Sequence, residues 1–330
     1  MHRALEIVTP MRFRRSIIRM LASLALVLLC APAFALMQWD FNSGCNTSGQ
    51  TYGNSCSWTA GTGANAVTVT ATAWSNTSGS ANTIDSAYLG AYPGLGVINK
   101  DSDTAAAATG TDKGDTAEGT PSNSVSPEHA TDNNQRYDFI LFTFSKSLNL
   151  QDVSISYPTS NTCNGVSPCD SDISVLAYTG GSSPTFSGVS YSSALTNTAN
   201  GWTLVGSYSN VKDSIVTVNI DGQGNTSKSM TALINQPTSG TPASSPYWIV
   251  AAYSSILQGS SNSYACNSST TGKPASGVTC DGGNDYVKVI SLFGSKTTNK
   301  VPEPSSLLLL GMVATIGVWG SRRRGAAPAS

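Results

Sequence analysis

The segment YDFILFTF, residues 137–144, is the most apolar strand candidate in this chain. Aromatic and β-branched residues are enriched in β-strands because they pack well on a pleated, partly buried surface. We therefore expect residues 137–144 to form a central strand of the fold.

The segments around this strand show the alternation that is typical of β-structure. Residues 66–74 (AVTVTATAW) combine β-branched with small residues in the period-two alternation of a half-buried strand. Seven further strands are predicted at residues 36–41, 153–157, 173–178, 202–208, 214–220, 247–253 and 286–293. About nine strands separated by turn-rich segments predict an all-β body at residues 36–296, a β-sandwich or jelly-roll-like fold.

Two segments of the chain do not have the composition of packed structure. Residues 100–127 consist mainly of Ala, Thr, Gly, Asp and Ser, and they have too little apolar bulk to offset the entropy cost of ordering them. We expect a mobile loop there. Residues 297–300 are predicted to be a short linker after the body.

The N-terminus has the three parts of a secretory signal peptide. A basic region with Arg12, Arg14, Arg15 and Arg19 precedes the apolar residues 21–29. Ala33 and Ala35 then supply the small-x-small pattern of a cleavage site. Residues 1–35 are therefore predicted to be removed during export.

The C-terminus carries a second ordered arrangement at residues 301–324. Pro302, Glu303 and Pro304 precede an uncharged apolar run, residues 305–320. As a helix this run would be about 24 Å long, slightly short of the roughly 30 Å hydrocarbon core. Arg322, Arg323 and Arg324 follow, and such a cluster stays on the cytoplasmic side of a membrane. The pattern predicts a membrane helix that serves as a temporary anchor, and an ordinary permanent anchor is the alternative.

This C-terminal arrangement resembles the PEP-CTERM sorting signal of Gram-negative bacteria. The resemblance implies that exosortase, a membrane protease-transpeptidase, processes the chain at or near Pro302, Glu303 and Pro304. The body also resembles exosortase-dependent surface proteins at residues 132–138 (DNNQRYD), 170–179 (DSDISVLAYT) and 201–208 (GWTLVGSY). Transient residence in the inner membrane and delivery to the cell surface or extracellular matrix are what the resemblance implies.

Removal of both ends changes the charge of the protein. Eight of the 18 lysines and arginines lie in the two predicted signals: Arg3, Arg12, Arg14, Arg15, Arg19, Arg322, Arg323 and Arg324. The mature body is therefore acidic, although the whole chain has a formal net charge of -1. Nucleic-acid binding requires clustered lysine and arginine, so no nucleic-acid partner is expected.

The cysteines suggest disulfides rather than a metal centre. Cys30 lies in the predicted signal peptide, and six cysteines remain in an exported chain. They fall into three close pairs, Cys45 with Cys56, Cys163 with Cys169, and Cys266 with Cys280. Local pairing is the simplest prediction, although six cysteines allow about 15 connectivities. Zinc is disfavoured because no CxxC motif is present.

The sequence contains little that indicates catalysis. His129 is the one histidine of the mature chain, and no Gly-x-Ser-x-Gly motif accompanies it. Carboxylate pairs occur at Asp101 with Asp103, Asp170 with Asp172, and Asp281 with Asp285, as a glycosidase would require. Solvated turn residues explain such pairs as well, and no catalytic residues and no enzymatic activity are predicted.

Calcium is the cation hypothesis that the loops allow, although no cofactor is predicted outright. Oxygen ligands at alternate positions suit this ion. They occur in Asp170-Ser171-Asp172, in Asp132-Asn133-Asn134 and in residues 281–285 (DGGND). Ordinary turn formation by Asp, Asn and Gly is the alternative for all three segments.

The tryptophans offer a further binding hypothesis. Trp39, Trp58, Trp74, Trp202 and Trp248 could stack on sugars or fill the core. The sequence as a whole predicts an exported surface or exopolysaccharide-matrix protein with a structural or adhesive role. A secreted carbohydrate-active enzyme and a permanently anchored periplasmic binding protein are the alternatives.

Overall fold

The computed structural model describes most of the body of the chain. It covers residues 36–45, 52–76, 83–91, 94–100, 130–134, 136–157, 169–186, 188–196, 200–213, 215–219, 226–258, 264–280 and 283–296. These residues lie in one compact unit, Ala35–Thr297. Across these ranges, no helix is both long enough and apolar enough to cross a membrane.

The described residues form eighteen β-strands and one short α-helix. The strands are β1 Met37–Asp40, β2 Ser55–Ala60, β3 Val67–Ser75, β4 Asp85–Ser86, β5 Tyr88–Ala91, β6 Leu95–Ile98, β7 Thr131–Asp132, β8 Asp138–Ile155, β9 Cys169–Asp170, β10 Ile173–Tyr178, β11 Trp202–Ser209, β12 Ile215–Asn219, β13 Thr226–Leu233, β14 Ser245–Ala252, β15 Tyr264–Ser268, β16 Pro274–Cys280, β17 Asn284–Val287 and β18 Val289–Lys296. Helix α1 is Tyr191–Leu195, and single 3-10 turns occur at Gly63–Asn65, Val211–Asp213 and Ser255–Gln258.

Strand β8 is the element on which the main sheet is assembled. Its N-terminal half pairs with β3 on one side and β14 on the other. Its C-terminal half pairs with β18 and β13. Between the halves, Ser145, Lys146 and Ser147 are exposed. One strand of 18 residues therefore contributes to two parts of a 15-stranded sheet.

The two parts of this sheet pack face to face around a shared core. Strand β1 pairs with β18, yet its Trp39 ring lies 5.0 Å from the ring of Phe144 in the other half of β8. Phe41, just after β1, stacks on Phe142 at 5.5 Å. The buried Trp39 Nε1 also donates to the carbonyl of Val67 on β3 at 3.0 Å. These contacts join the layers of a β-sandwich.

A second core covers the outer face of the same strands. Phe139 and Leu141 point away from the main core, and a segment that includes Phe186 and α1 packs over them. The Phe186 ring lies 5.2 Å from those of Trp74 and Phe139. Residues 138–142 are thus covered on both faces, which explains why this part of β8 is apolar at nearly every position.

Two of the three predicted disulfides are present. Cys45 bonds to Cys56, and Cys266 bonds to Cys280 across the β15–β16 hairpin. Cys169 begins β9, whereas Cys163 lies outside the described residues.

The predicted all-β class is confirmed, but the strand boundaries differ in two ways. Residues 137–144 and 153–157 belong to the single strand β8, because the polar residues between them continue the pairing with β18. Residues 286–293 are divided between β17 and β18, which belong to different sheets. Short strands with few apolar residues, such as β7 and β9, had no recognisable pattern in the sequence.

Several predicted segments lie outside the described residues. They are residues 1–35, 101–127 of the proposed loop, the linker 297–300 and the sorting segment 301–324. The structure describes Lys100, which forms an ion pair of 2.7 Å with Asp85.

Asp152 on β8 makes the stability of the sandwich dependent on pH. It is 6 % exposed and lies between Leu233 of β13 and Phe293 of β18. Burial raises the pKa of Asp152 from 3.8 to about 7. The folded state then binds more protons than the unfolded state between these values, so stability falls as the pH rises from about 4 to 7.

We expect Asp152→Asn to remove this pH dependence. Between pH 4 and pH 8, the free energy of unfolding of the wild type should fall by about 4 kcal/mol relative to that of the variant. Urea unfolding across this range measures the shift. Asp213→Asn, at an exposed carboxyl, is the control, and equal slopes for the wild type and Asp152→Asn would contradict the prediction.

Candidate functional site

A group of buried polar side chains is built on the small sheet β7-β17-β9. Strand β17 pairs antiparallel with β7, with Tyr286 opposite Asp132. It pairs parallel with β9, with Asp285 opposite Asp170. All three segments considered as calcium loops therefore contribute to one place, although Asn133 and Asp285 are 152 positions apart.

Asp285 lies at the centre of this site and is fully buried. Its Oδ1 accepts a hydrogen bond of 2.7 Å from the backbone N–H of Asp172. Its Oδ2 accepts one of 2.8 Å from the side-chain amide of Asn133. The carboxyl is thus held in one orientation by two donors from other segments of the chain.

Asn133, which follows β7, fixes the position of β17. Its Oδ1 accepts from the backbone N–H of Asp285 at 2.7 Å. Its Nδ2 also donates to the carbonyl of Tyr253 at 2.8 Å and to that of Gly283 at 3.3 Å. One amide side chain therefore connects three separate segments of the body.

The loop after β9 is fixed from the other side. Asp172 is 1 % exposed, and its Oδ1 accepts from the backbone N–H of Asn210 at 2.7 Å. The hydroxyl of Ser171 accepts from the backbone N–H of Lys212 at 2.8 Å. Asn210 has a φ of 49°, a left-handed conformation that asparagine tolerates better than most residues.

The carboxyl groups of Asp170, Asp172 and Asp285 converge. Each offers an oxygen within 4.8 Å of the others. Within the described ranges, neither Asp170 nor Asp285 forms an ion pair with a lysine or arginine. Burial raises the pKa of Asp285 well above 3.8, and the hydrogen bond to Asp170 and the charges of Asp172 and Asp170 add to this. Carboxyls arranged in this way can share a proton or ligate a cation.

Several other candidate residues are not described by the structure. His129, Asp101, Asp103 and Asp281 are outside the described residues, as are the signal peptide with Ala33 and Ala35 and the sorting residues Pro302, Glu303, Pro304, Arg322, Arg323 and Arg324. The structure therefore neither supports nor contradicts a catalytic role for His129.

Sequence reasoning found the loops but missed how they are joined. Each of the three segments was considered as a separate cation loop, and nothing in their spacing showed that they converge. The amide of Asn133 was missed as the connecting group, and so was the role of Asn210. The feature of the sequence that indicates this site is that Asp and Asn residues flank three short strands.

Comparison with known proteins identifies the C-terminal segment. The PEP-CTERM protein-sorting motif matches residues 300–324. No curated protein and no solved structure is significantly similar to the chain. The chain therefore carries a PEP-CTERM sorting signal, and it is an exported protein that is sorted by exosortase in a Gram-negative bacterium.

Asn133→Ala should destabilise the body by about 2–4 kcal/mol, because it removes the hydrogen-bond partners of the buried backbone N–H and of the Oδ2 atom of Asp285. Urea unfolding at pH 7 measures this loss. Asn42→Ala, at an exposed asparagine, is the control and should change stability by less than about 0.5 kcal/mol. Similar stabilities of the two variants would contradict the bridging role of Asn133.

Proposed function

We propose that the mature body is a structural or adhesive component of the cell surface or exopolysaccharide matrix, and that it binds neutral polysaccharide without turnover. The observation that carries the proposal is a sheet face lined by hydroxyl groups. We call this the hydroxyl face; its residues are Ser55, Ser57, Thr59, Thr68, Thr70, Thr72, Thr143 and Ser145.

The hydroxyl face lies on three neighbouring strands, β2, β3 and β8. Ser57 on β2 lies opposite Thr70 on β3, which lies opposite Thr143 on β8. Tyr247 on β14 is the next residue in this row. At about 4.8 Å between strands, the row is about 14 Å long. Such a surface is long enough to contact several groups of an extended chain.

The chemistry of the face suits a neutral ligand rich in hydroxyl groups. Its side chains carry no charge, and each hydroxyl can both donate and accept a hydrogen bond. The Ser57 and Thr70 hydroxyls are 2.8 Å apart, as are those of Thr59 and Thr68, so their positions are fixed in pairs. Sugar hydroxyls offer the matching donors and acceptors, whereas a charged polymer would gain no ion pair there.

Half-buried aromatic rings border the same face. Trp74 follows Thr72 on β3 and donates from Nε1 to its hydroxyl at 3.0 Å. The Tyr247 hydroxyl lies 2.8 Å from that of Ser183. The apolar faces of sugar rings pack on such side chains. Trp39, Trp202 and Trp248 are buried and belong to the core, so they are not part of this surface.

The sorting signal supports the location that this role requires. A protein retained at the surface would be exposed to polysaccharide. The alternatives are a secreted carbohydrate-active enzyme and a permanently anchored periplasmic binding protein, and the two experiments below distinguish them.

Mass spectrometry of the protein from a host with exosortase should show Leu36 at the N-terminus and a C-terminus without Arg322, Arg323 and Arg324. Glu303→Ala is the matched variant and should retain the arginines, because it alters the motif that the enzyme reads. An intact arginine cluster in the wild type would favour the permanent anchor.

Binding of the secreted body to an array of neutral polysaccharides tests the hydroxyl face. Thr70→Lys should weaken binding about tenfold, which corresponds to about 1.4 kcal/mol, because it places a charge in the middle of the row. Thr203→Lys, at an exposed threonine of β11, is the control and should bind like the wild type. Absence of wild-type binding would contradict the proposal, and release of sugars would favour the enzyme.

A further inference from the structure

We propose that Asp170, Asp172 and Asp285 bind one calcium ion, which crosslinks β9 to β17 in the small sheet. This inference is independent of the hydroxyl face, which lies on other strands. It starts from the convergence of three carboxyl groups whose oxygens lie within 4.8 Å of one another.

Three acidic groups share one shielded volume. Asp285 is fully buried, and Asp172 is 1 % exposed. Carboxylates leave water at a large cost unless a proton or a cation compensates their charge. Asp285 and the neighbouring Asp170 therefore call for a positive partner, and neither has a basic side chain as an ion-pair partner in the described parts of the chain.

A second observation, from Asp170 itself, points to a ligand. The Oδ1 atom of Asp170 is closed to solvent and accepts no hydrogen bond from the described residues. A single proton shared between Asp170 and Asp285 would leave this atom unsatisfied. A cation bound by Asp170 would supply the missing interaction, since a carboxylate can ligate through one or both oxygens.

The surrounding hydrogen bonds hold the ligands in place. Both oxygens of Asp285 and one of Asp172 accept fixed donors from the backbone or from Asn133. Each such oxygen has a second lone pair available for a metal. These carboxylate ligands are thus oriented by groups that do not depend on the ion, as in well-formed metal sites.

The ligand chemistry favours calcium over other common ions. The cluster consists of carboxylates alone, with neither cysteine nor histidine among its members, and this disfavours zinc. Calcium accepts six to eight oxygens at about 2.3–2.6 Å in variable geometry, whereas magnesium needs a near-ideal octahedron. Carboxylates from different strands suit the more tolerant ion. Calcium sites of extracellular modules typically have dissociation constants of about 10⁻⁴–10⁻³ M.

The test uses the mature secreted protein, stripped of metal with EDTA and measured at pH 7.5. Addition of 5 mM CaCl₂ should raise the melting temperature by about 2–8 °C, as expected from mass action at this affinity in a body of this size. Equilibrium dialysis should find one calcium ion per chain. MgCl₂ at the same concentration should raise the melting temperature by less than CaCl₂ does.

Variants distinguish a calcium site from a purely structural carboxyl pair. Asp285→Asn keeps the shape of the side chain and should abolish both the shift and the bound calcium. Asp170→Asn serves the same purpose at a half-buried position if the first variant does not fold. Asp152→Asn, at the buried carboxyl of β8, is the matched control and should retain the full calcium response.

Three outcomes would overturn the proposal. In the first, the wild-type protein binds no calcium and Asp285→Asn has a higher melting temperature than the wild type. This result would show a carboxyl pair held by a shared proton. Another is an equal calcium response in the wild type and both cluster variants, which would place the ion elsewhere on the acidic surface. A response to magnesium equal to that to calcium would also contradict the assignment.

Discussion

The architecture depends on the simultaneous pairing of β8 along both of its edges. The backbone N–H and C=O groups of a buried strand need partners on each side, and β8 finds them in β3 and β14 along one half and in β18 and β13 along the other. Because the two halves belong to different layers, the strand also sets how the layers face each other. The main core forms in the space between them, where Trp39 meets Phe144. The other strands extend the two layers whose arrangement β8 defines.

The acidic cluster shows how such an arrangement can hold polar groups that would be unstable alone. The carboxyl of Asp285 is fully buried, and its position is maintained by donors from Asp172 and Asn133. These donors lie on segments that meet only because β7, β17 and β9 pair in a sheet of their own. Burial and the neighbouring carboxyls disfavour the charged form of Asp285, whereas the backbone hydrogen bond from Asp172 favours it. We therefore expect this site, unlike an apolar junction, to respond to protons or cations.

The export signals and the body carry separate kinds of information. The C-terminal motif directs the chain to exosortase through a linear pattern of residues 300–324. The body offers an uncharged hydroxyl face on β2, β3 and β8, and a compact acidic cluster on the small sheet. Neither surface is encoded in the signal, so the destination of the protein and its interactions there are set by different parts of the sequence. The proposed role in the matrix needs both, because delivery without a binding surface would not retain the protein there.

The sequence by itself determined the features that depend on local pattern. Alternation in β3 and the apolar run in β8 predicted strands and the all-β class, because the side-chain period of two is a property of the segment alone. The ordered C-terminal motif predicted the sorting signal for a similar reason. Close cysteine pairs correctly predicted two disulfides. Only the tertiary structure decided that residues 138–155 are one strand and that Asp170, Asp172 and Asp285 share one site. Strands as short as Thr131–Asp132 have no stability of their own, so they exist only where a partner more than 100 residues away in the chain completes their hydrogen bonds.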